Sequence, residues 1–79
     1  MGIALPYQVV TGVRQESRYP TDGDIHSRLH ELNFWLSRNI GRPQYDFAAY
    51  ILPIDPDTDG LGVSCRTEAQ ATLIALRWA

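Results

Sequence analysis

The sequence has no lysine, a single cysteine and no long apolar run, and each absence excludes a class of protein. All seven basic residues are arginine, which excludes Schiff-base chemistry on lysine and a nucleotide-binding loop with a phosphate-binding lysine. Cys65 has no second cysteine to pair with, which favours a reducing compartment such as the cytoplasm. Neither a signal peptide nor a stretch of about 18 apolar residues is found, so no membrane association is predicted.

The charge balance is slightly acidic, with a formal net charge of −2. Because there is no excess of positive charge to neutralise a run of phosphates, nucleic acid is not a predicted partner, although Arg14, Arg66 and Arg77 would be the residues to bind it. A chain of 79 residues with 44% hydrophobic and 20% charged residues is typical of one small globular domain. We therefore predict a single α+β domain over residues 1–79.

Hydrophobic periodicity defines the first elements of this domain. Residues 5–14 are rich in β-branched side chains and predict a strand. From about Asp22 to Asn39, apolar residues recur every three or four positions and predict a helix. Gly41, which can adopt positive φ, and Pro43, which cannot continue a helix, then mark its end.

The second half of the chain predicts a hairpin, a short helix and a closing strand. YDFAAYILP and LGVSCRT read as paired strands on either side of an acidic turn, and Thr67 with Gln70 forms a capping box. Ile74, Leu76 and Trp78 alternate, which favours a final strand. The order β-α-β-β-α-β predicts a ferredoxin-like split βαβ fold, with a four-stranded antiparallel sheet and both helices on one face. The main alternative is a second helix that continues to Ala79, which leaves three strands.

The acidic turn DPDTDG resembles part of a calcium-binding loop. Asp55, Asp57 and Asp59 with Gly60 match positions 1, 3, 5 and 6 of an EF-hand loop, but Arg66 stands at position 12, where the bidentate glutamate belongs. Proline, aspartate and glycine are also the usual residues of turns. We therefore predict a polar hairpin turn, in which exposed Asp57 and Asp59 could contact a basic partner surface.

His26 and His30 lie four residues apart on the predicted helix, a spacing that some zinc sites use. Together with the Asp55, Asp57 and Asp59 loop they support an alternative function, a domain that binds a metal or a small molecule. No third ligand is evident, so the two histidines are predicted to be solvated and no cofactor is predicted. Cys65 is predicted to be a buried apolar side chain, because nothing in the sequence places a base beside it.

Aromatic residues away from the predicted core point to a binding surface. On a helical wheel, Phe34 and Trp35 lie more than about 100° from the apolar stripe of the first helix, with Arg38 nearby. Tyr50 falls on the sheet face that the two helices would leave uncovered. Aromatic residues and arginine are enriched at protein interfaces. The first hypothesis is therefore a non-enzymatic protein-binding module, which could also self-associate as a homodimer.

The C-terminal stretch CRTEAQATLIALRWA resembles the tails of small accessory proteins encoded by tailed phages. In those tails a strand leads to a capped turn and then to an apolar, basic ending with tryptophan. The resemblance covers 15 of 79 residues and departs from the pattern at Leu73 and Ile74, where such tails often have an aromatic residue. It implies a phage or mobile-element protein that binds a host or phage protein and blocks or recruits it, and it transfers no catalytic residue.

Overall fold

The computed structural model describes residues 5–16 and 24–79, which form a three-stranded antiparallel sheet and two helices. The elements, in chain order, are β1 (Tyr7–Glu16), α1 (Asp24–Asn39), β2 (Phe47–Asp55), β3 (Thr58–Cys65) and α2 (Glu68–Trp78). The order of strands in the sheet is β1-β3-β2. Since β1 and β2 are both antiparallel to β3, they are parallel to each other and α1 crosses between them, which is a split βαβ unit.

The α+β class is confirmed, but the predicted fourth strand and the ferredoxin-like sheet are wrong. The C-terminal residues form α2 instead, the alternative that the sequence also allowed. The capping box of Thr67 and Gln70 starts this helix, and Ile74 and Trp78 then pack inward at a spacing of four. Leu76, which a strand would have placed beside them, is 82% exposed.

The core lies between one sheet face and the two helices. Phe47 and Cys65 are partners in neighbouring strands, as are Val9 and Val63, and all four are buried on this face. Apolar residues from every element complete the cluster: Val9, Ile25, Leu32, Leu36, Phe47, Leu61, Val63, Cys65, Ile74 and Trp78. Both described helices pack on this face, and no described helix packs on the opposite one.

The buried hydroxyl of Thr11 hydrogen-bonds to backbone groups where the pairing of β1 with β3 is interrupted. The register shifts between Val10 and Arg14, which interrupts the pairing with β3. Thr11, buried at this bulge, donates a hydrogen bond through Oγ1 to the Leu61 carbonyl at 2.9 Å and accepts one from the Val13 amide at 3.3 Å. The side chain thus satisfies groups that the irregular ladder would otherwise leave unpaired.

The end of α1 follows the sequence prediction. The helix ends at Asn39, the amides of Ile40 and Gly41 both donate to the Leu36 carbonyl, and Gly41 has φ 155°. The Asp46 carboxylate lies where a Cβ on Gly41 would be, and it accepts a hydrogen bond from the Arg42 amide at 2.9 Å. Among the described helices, none is long and apolar enough to cross a membrane.

Candidate functional site

The outer face of α1 exposes an aromatic side chain paired with an arginine. Phe34 is 61% exposed, and the Arg38 guanidinium carbon lies 5.5 Å from the centre of its ring. A shallow groove of about 280 Å³ runs beside them, lined also by His30 and Ser37. The wheel position of Phe34, opposite the buried Leu32, explains this exposure. The predicted pair of Phe34 and Arg38 is thus brought together on one surface.

Trp35 occupies a different position from Phe34. It is half-buried, packs against the core, and meets Trp78 of α2 edge to face with ring centres 6.3 Å apart and an angle of 72° between the ring planes. This contact joins the two helices above the sheet. Trp35 therefore contributes to the packing of the domain as well as to its helical surface.

The outer face of α2 carries an apolar stripe that the sequence prediction missed. Ala69, Leu73 and Leu76 are exposed at positions i, i+4 and i+7, while Ile74 and Trp78 on the other side of the helix are buried. A strand over this segment would have placed Leu76 on the same face as Ile74 and Trp78. The capping box followed by continuous helix formers was the signal that could have identified the stripe.

On the open sheet face, Tyr50 lies across the central strand. A Cβ on Gly62 would come within 2.7 Å of the Tyr50 ring, and the Tyr50 hydroxyl bonds to Gln8 of β1 and to Ser64 of β3, the latter at 3.1 Å. Tyr50 is half-buried in this position, while Val10 on the same face is exposed. The predicted outward orientation of Tyr50 is confirmed, but its hydroxyl is held within the domain.

The acidic turn connects β2 to β3 through Pro56 and Asp57. The Asp57 amide donates to the Asp55 carboxylate at 2.9 Å, an Asx turn that explains the preference for aspartate here. Asp57 is exposed at the tip and Asp59 is half-buried opposite Pro53. The hairpin prediction is confirmed, whereas contact of Asp57 and Asp59 with a partner stays a prediction. Within residues 5–16 and 24–79, no three acidic, histidine or cysteine side chains come close enough to hold a metal ion.

The remaining candidate residues are spread over the molecule. His26 and His30 are both exposed on α1. Cys65 is fully buried, and burial raises the pKa of its thiol above the ordinary value, so the reactive thiolate is disfavoured. Arg66 pairs with Asp46 at 3.4 Å and covers the Tyr45 ring at 5.1 Å. Of these residues, His30 lines the groove beside Phe34.

A polar cleft at one end of the domain was not predicted from the sequence. Its volume is about 580 Å³, and it lies between the second half of β1, the first turns of α1 and the end of α2. The Trp78 ring is flanked there by two guanidinium groups, Arg28 at 6.0 Å and Arg77 at 5.2 Å from the ring centre. The end of α2 is far from β1 and α1 in the chain, so no local motif signals the cleft.

Comparison of the chain with protein-family models, curated proteins and solved structures found no match.

Proposed function

We propose that this protein is a small, non-enzymatic protein-binding module that docks through the outer faces of its two helices. The observation that supports the proposal most directly is the 61% exposure of Phe34 and the 82% exposure of Leu76. Both are large apolar side chains in a domain that has room to bury others of the same type, such as Leu32 and Leu36. Exposed apolar groups of this kind lose unfavourable hydration when a partner covers them.

The pairing of Phe34 with Arg38 indicates the chemistry of the partner. A guanidinium over an aromatic ring is held in place before binding, and arginine with aromatic residues is typical of the centres of interfaces. We therefore propose a partner protein with an apolar pocket for Phe34 and carboxylates at its rim for Arg38. Leu73 and Leu76 of α2 offer a second exposed apolar surface.

The setting of this interaction rests on the resemblance of residues 65–79 to the tails of phage accessory proteins. We propose that the partner is a host or phage protein in the host cytoplasm, and that the module acts by occupying or recruiting it. Neither catalysis nor a cofactor is part of the proposal. A second copy of this chain, bound through the same helical faces, is the competing partner. The experiment below distinguishes the two.

The decisive experiment compares Phe34→Asp with His26→Asp. Both substitutions add a negative charge to an exposed position of α1, but only the first removes the apolar ring. Immobilised wild-type protein is used to capture a partner from host and phage-infected lysates. The purified partner is then titrated against each variant. We expect Phe34→Asp to weaken binding by about 30-fold, the effect of losing about 2 kcal/mol at a hot spot, and His26→Asp to change it little.

Leu76→Asp and Thr72→Asp form the same kind of pair on α2, since both positions are exposed. Light scattering over a range of concentrations tests for a dimer in parallel. A dimer that Phe34→Asp or Leu76→Asp dissociates would assign the surface to self-association. Equal binding of a purified partner by all four variants would contradict the proposed surface.

A further inference from the structure

Within residues 5–16 and 24–79, two buried polar atoms beside the cleft at the end of the domain have no hydrogen-bond partner. They are the indole Nε1 of Trp78, a residue only 6% exposed, and the side-chain Oε1 of Gln15. Both residues line the cleft between β1, α1 and α2. Burying a polar group without a partner is unfavourable, so two such groups at one place require an explanation. Trp78 Nε1 is a hydrogen-bond donor and Gln15 Oε1 is an acceptor, so a ligand with both an acceptor and a donor group would match them.

Three arginines line the cleft and favour an anion. Arg77 and Arg28 lie beside Trp78, and Arg14 is a third arginine on the cleft wall. The ion pairs Arg28–Glu31 and Arg66–Asp46 do not involve Arg77. Guanidinium groups bind carboxylates and phosphates through paired N–H donors. The stacking of Arg77 on the Trp78 ring orders its side chain before any ligand arrives.

Arg14 has a different role from the other two arginines. Its Nη1 already donates to the carbonyls of Thr11 at 2.5 Å and Val13 at 2.8 Å. It therefore contributes positive potential to the cleft while its guanidinium is partly occupied by its own strand. The other two arginines that line the cleft are Arg77 and Arg28, and Arg28 pairs through Nε with Glu31 at 3.4 Å.

We propose that this cleft binds a small oxyanion that also carries a hydrogen-bond donor, such as a hydroxycarboxylate or a phosphate ester. The oxyanion would lie between Arg28 and Arg77 and accept from Trp78 Nε1, and the donor would serve Gln15 Oε1. A volume of about 580 Å³ is within the range of small-ligand sites. The site does not use Phe34 or Leu76, so this proposal can be tested independently of the proposed partner surface.

The test is a titration followed by NMR of the tryptophan indole N–H groups. There are two tryptophans, and Trp35→Phe assigns the Trp78 signal. Malate and succinate, which differ by one hydroxyl group, form a matched pair for the carboxylate arm, and glycerol phosphate with inorganic phosphate forms the second. Sodium chloride at equal ionic strength controls for general screening. We expect a saturable shift of the Trp78 indole and Gln15 amide signals, with malate or glycerol phosphate binding more tightly than its partner.

Substitutions then locate the anion. Arg77→Gln should weaken binding by about tenfold or more, the effect of losing a charge-assisted hydrogen bond. Arg38→Gln removes the same charge from the outer face of α1 and should leave the affinity unchanged. A Trp78 signal that does not move, that moves linearly, or that moves equally with sodium chloride would overturn the proposal in the wild-type protein alone. Equal losses in Arg77→Gln and Arg38→Gln would also overturn it.

Discussion

Replacing Gly62 with alanine tests whether the open sheet face is organised by Tyr50. A Cβ on Gly62 would lie 2.7 Å from Cε2 and 3.1 Å from Cζ of the Tyr50 ring, both inside normal contact distance. The ring must therefore move away from the central strand. Its hydroxyl would then lose the hydrogen bonds to Gln8 and Ser64.

Two opposing effects decide how much Gly62→Ala changes the free energy of unfolding. Alanine in place of a strand glycine stabilises a protein by about 0.5–1 kcal/mol, because the unfolded chain loses conformational freedom. Displacing a packed ring costs about 1–3 kcal/mol, and each lost hydrogen bond costs up to about 1 kcal/mol, less where water replaces it. Since Tyr50 is half-buried, we expect the clash to prevail and Gly62→Ala to destabilise the domain by about 1–2 kcal/mol.

Urea unfolding of a double-mutant cycle measures this balance. With an m-value of about 1–2 kcal/mol/M, Gly62→Ala should lower the midpoint by roughly 1 M. In the Tyr50→Ala background the same substitution has no ring to displace, and we expect it to stabilise by about 0.5 kcal/mol. An equal loss in both backgrounds would refute the reasoning, because the cost would then come from the strand itself. A stabilising Gly62→Ala in the wild type would refute it as well.

Three further predictions concern the described backbone and core. Gly41→Ala should cost more than about 1 kcal/mol in urea unfolding because of its positive φ, and Asp46→Ala should recover only the part due to the carboxylate contact. Thr67→Ala should cost about 1 kcal/mol by removing the hydrogen bond to the Gln70 amide, whereas Thr67→Ser should cost little. Burial raises the pKa of the Cys65 thiol. The stability that Cys65 contributes should therefore be fully present below the ordinary thiol pKa and should fall as the pH rises above it. If the free energy of unfolding of Cys65→Ala fell with rising pH as much as that of the wild type, the prediction would be wrong.

Local patterns were sufficient to predict much of the fold. The apolar spacing of α1, the Gly41 end, the hairpin and the Thr67–Gln70 capping box were all identified correctly because each depends on residues within a few positions. The sequence of α2 was ambiguous because Ile74, Leu76 and Trp78 alternate like a strand, while Ile74 and Trp78 alone match a helical face. Only tertiary packing, which buries two of the three and exposes Leu76, decides between the two periods.

The candidate surfaces divide in the same way. Exposure of Phe34 beside Arg38 followed from the helical wheel and was predicted. The position of Tyr50 over Gly62 was not, because it depends on β3 having a glycine opposite Tyr50 in the strand register. The cleft beside Trp78 is lined by residues as far apart in the chain as Gln15 and Arg77, and such a separation leaves no periodic pattern in the sequence.

The missing fourth strand and the cleft have the same structural origin. In the predicted ferredoxin-like sheet, the last strand could have paired with β1. In the described structure the C-terminal residues turn into α2, and β1 is an edge strand with β3 as its partner. The last turn of α2 then places Trp78 and Arg77 beside residues 12–15 of β1 instead of hydrogen-bonding to them. A helix in place of the strand therefore leaves a cleft beside β1. The last turn of this helix places Arg77 and Trp78 at that cleft, and an oxyanion would use their guanidinium group and indole N–H.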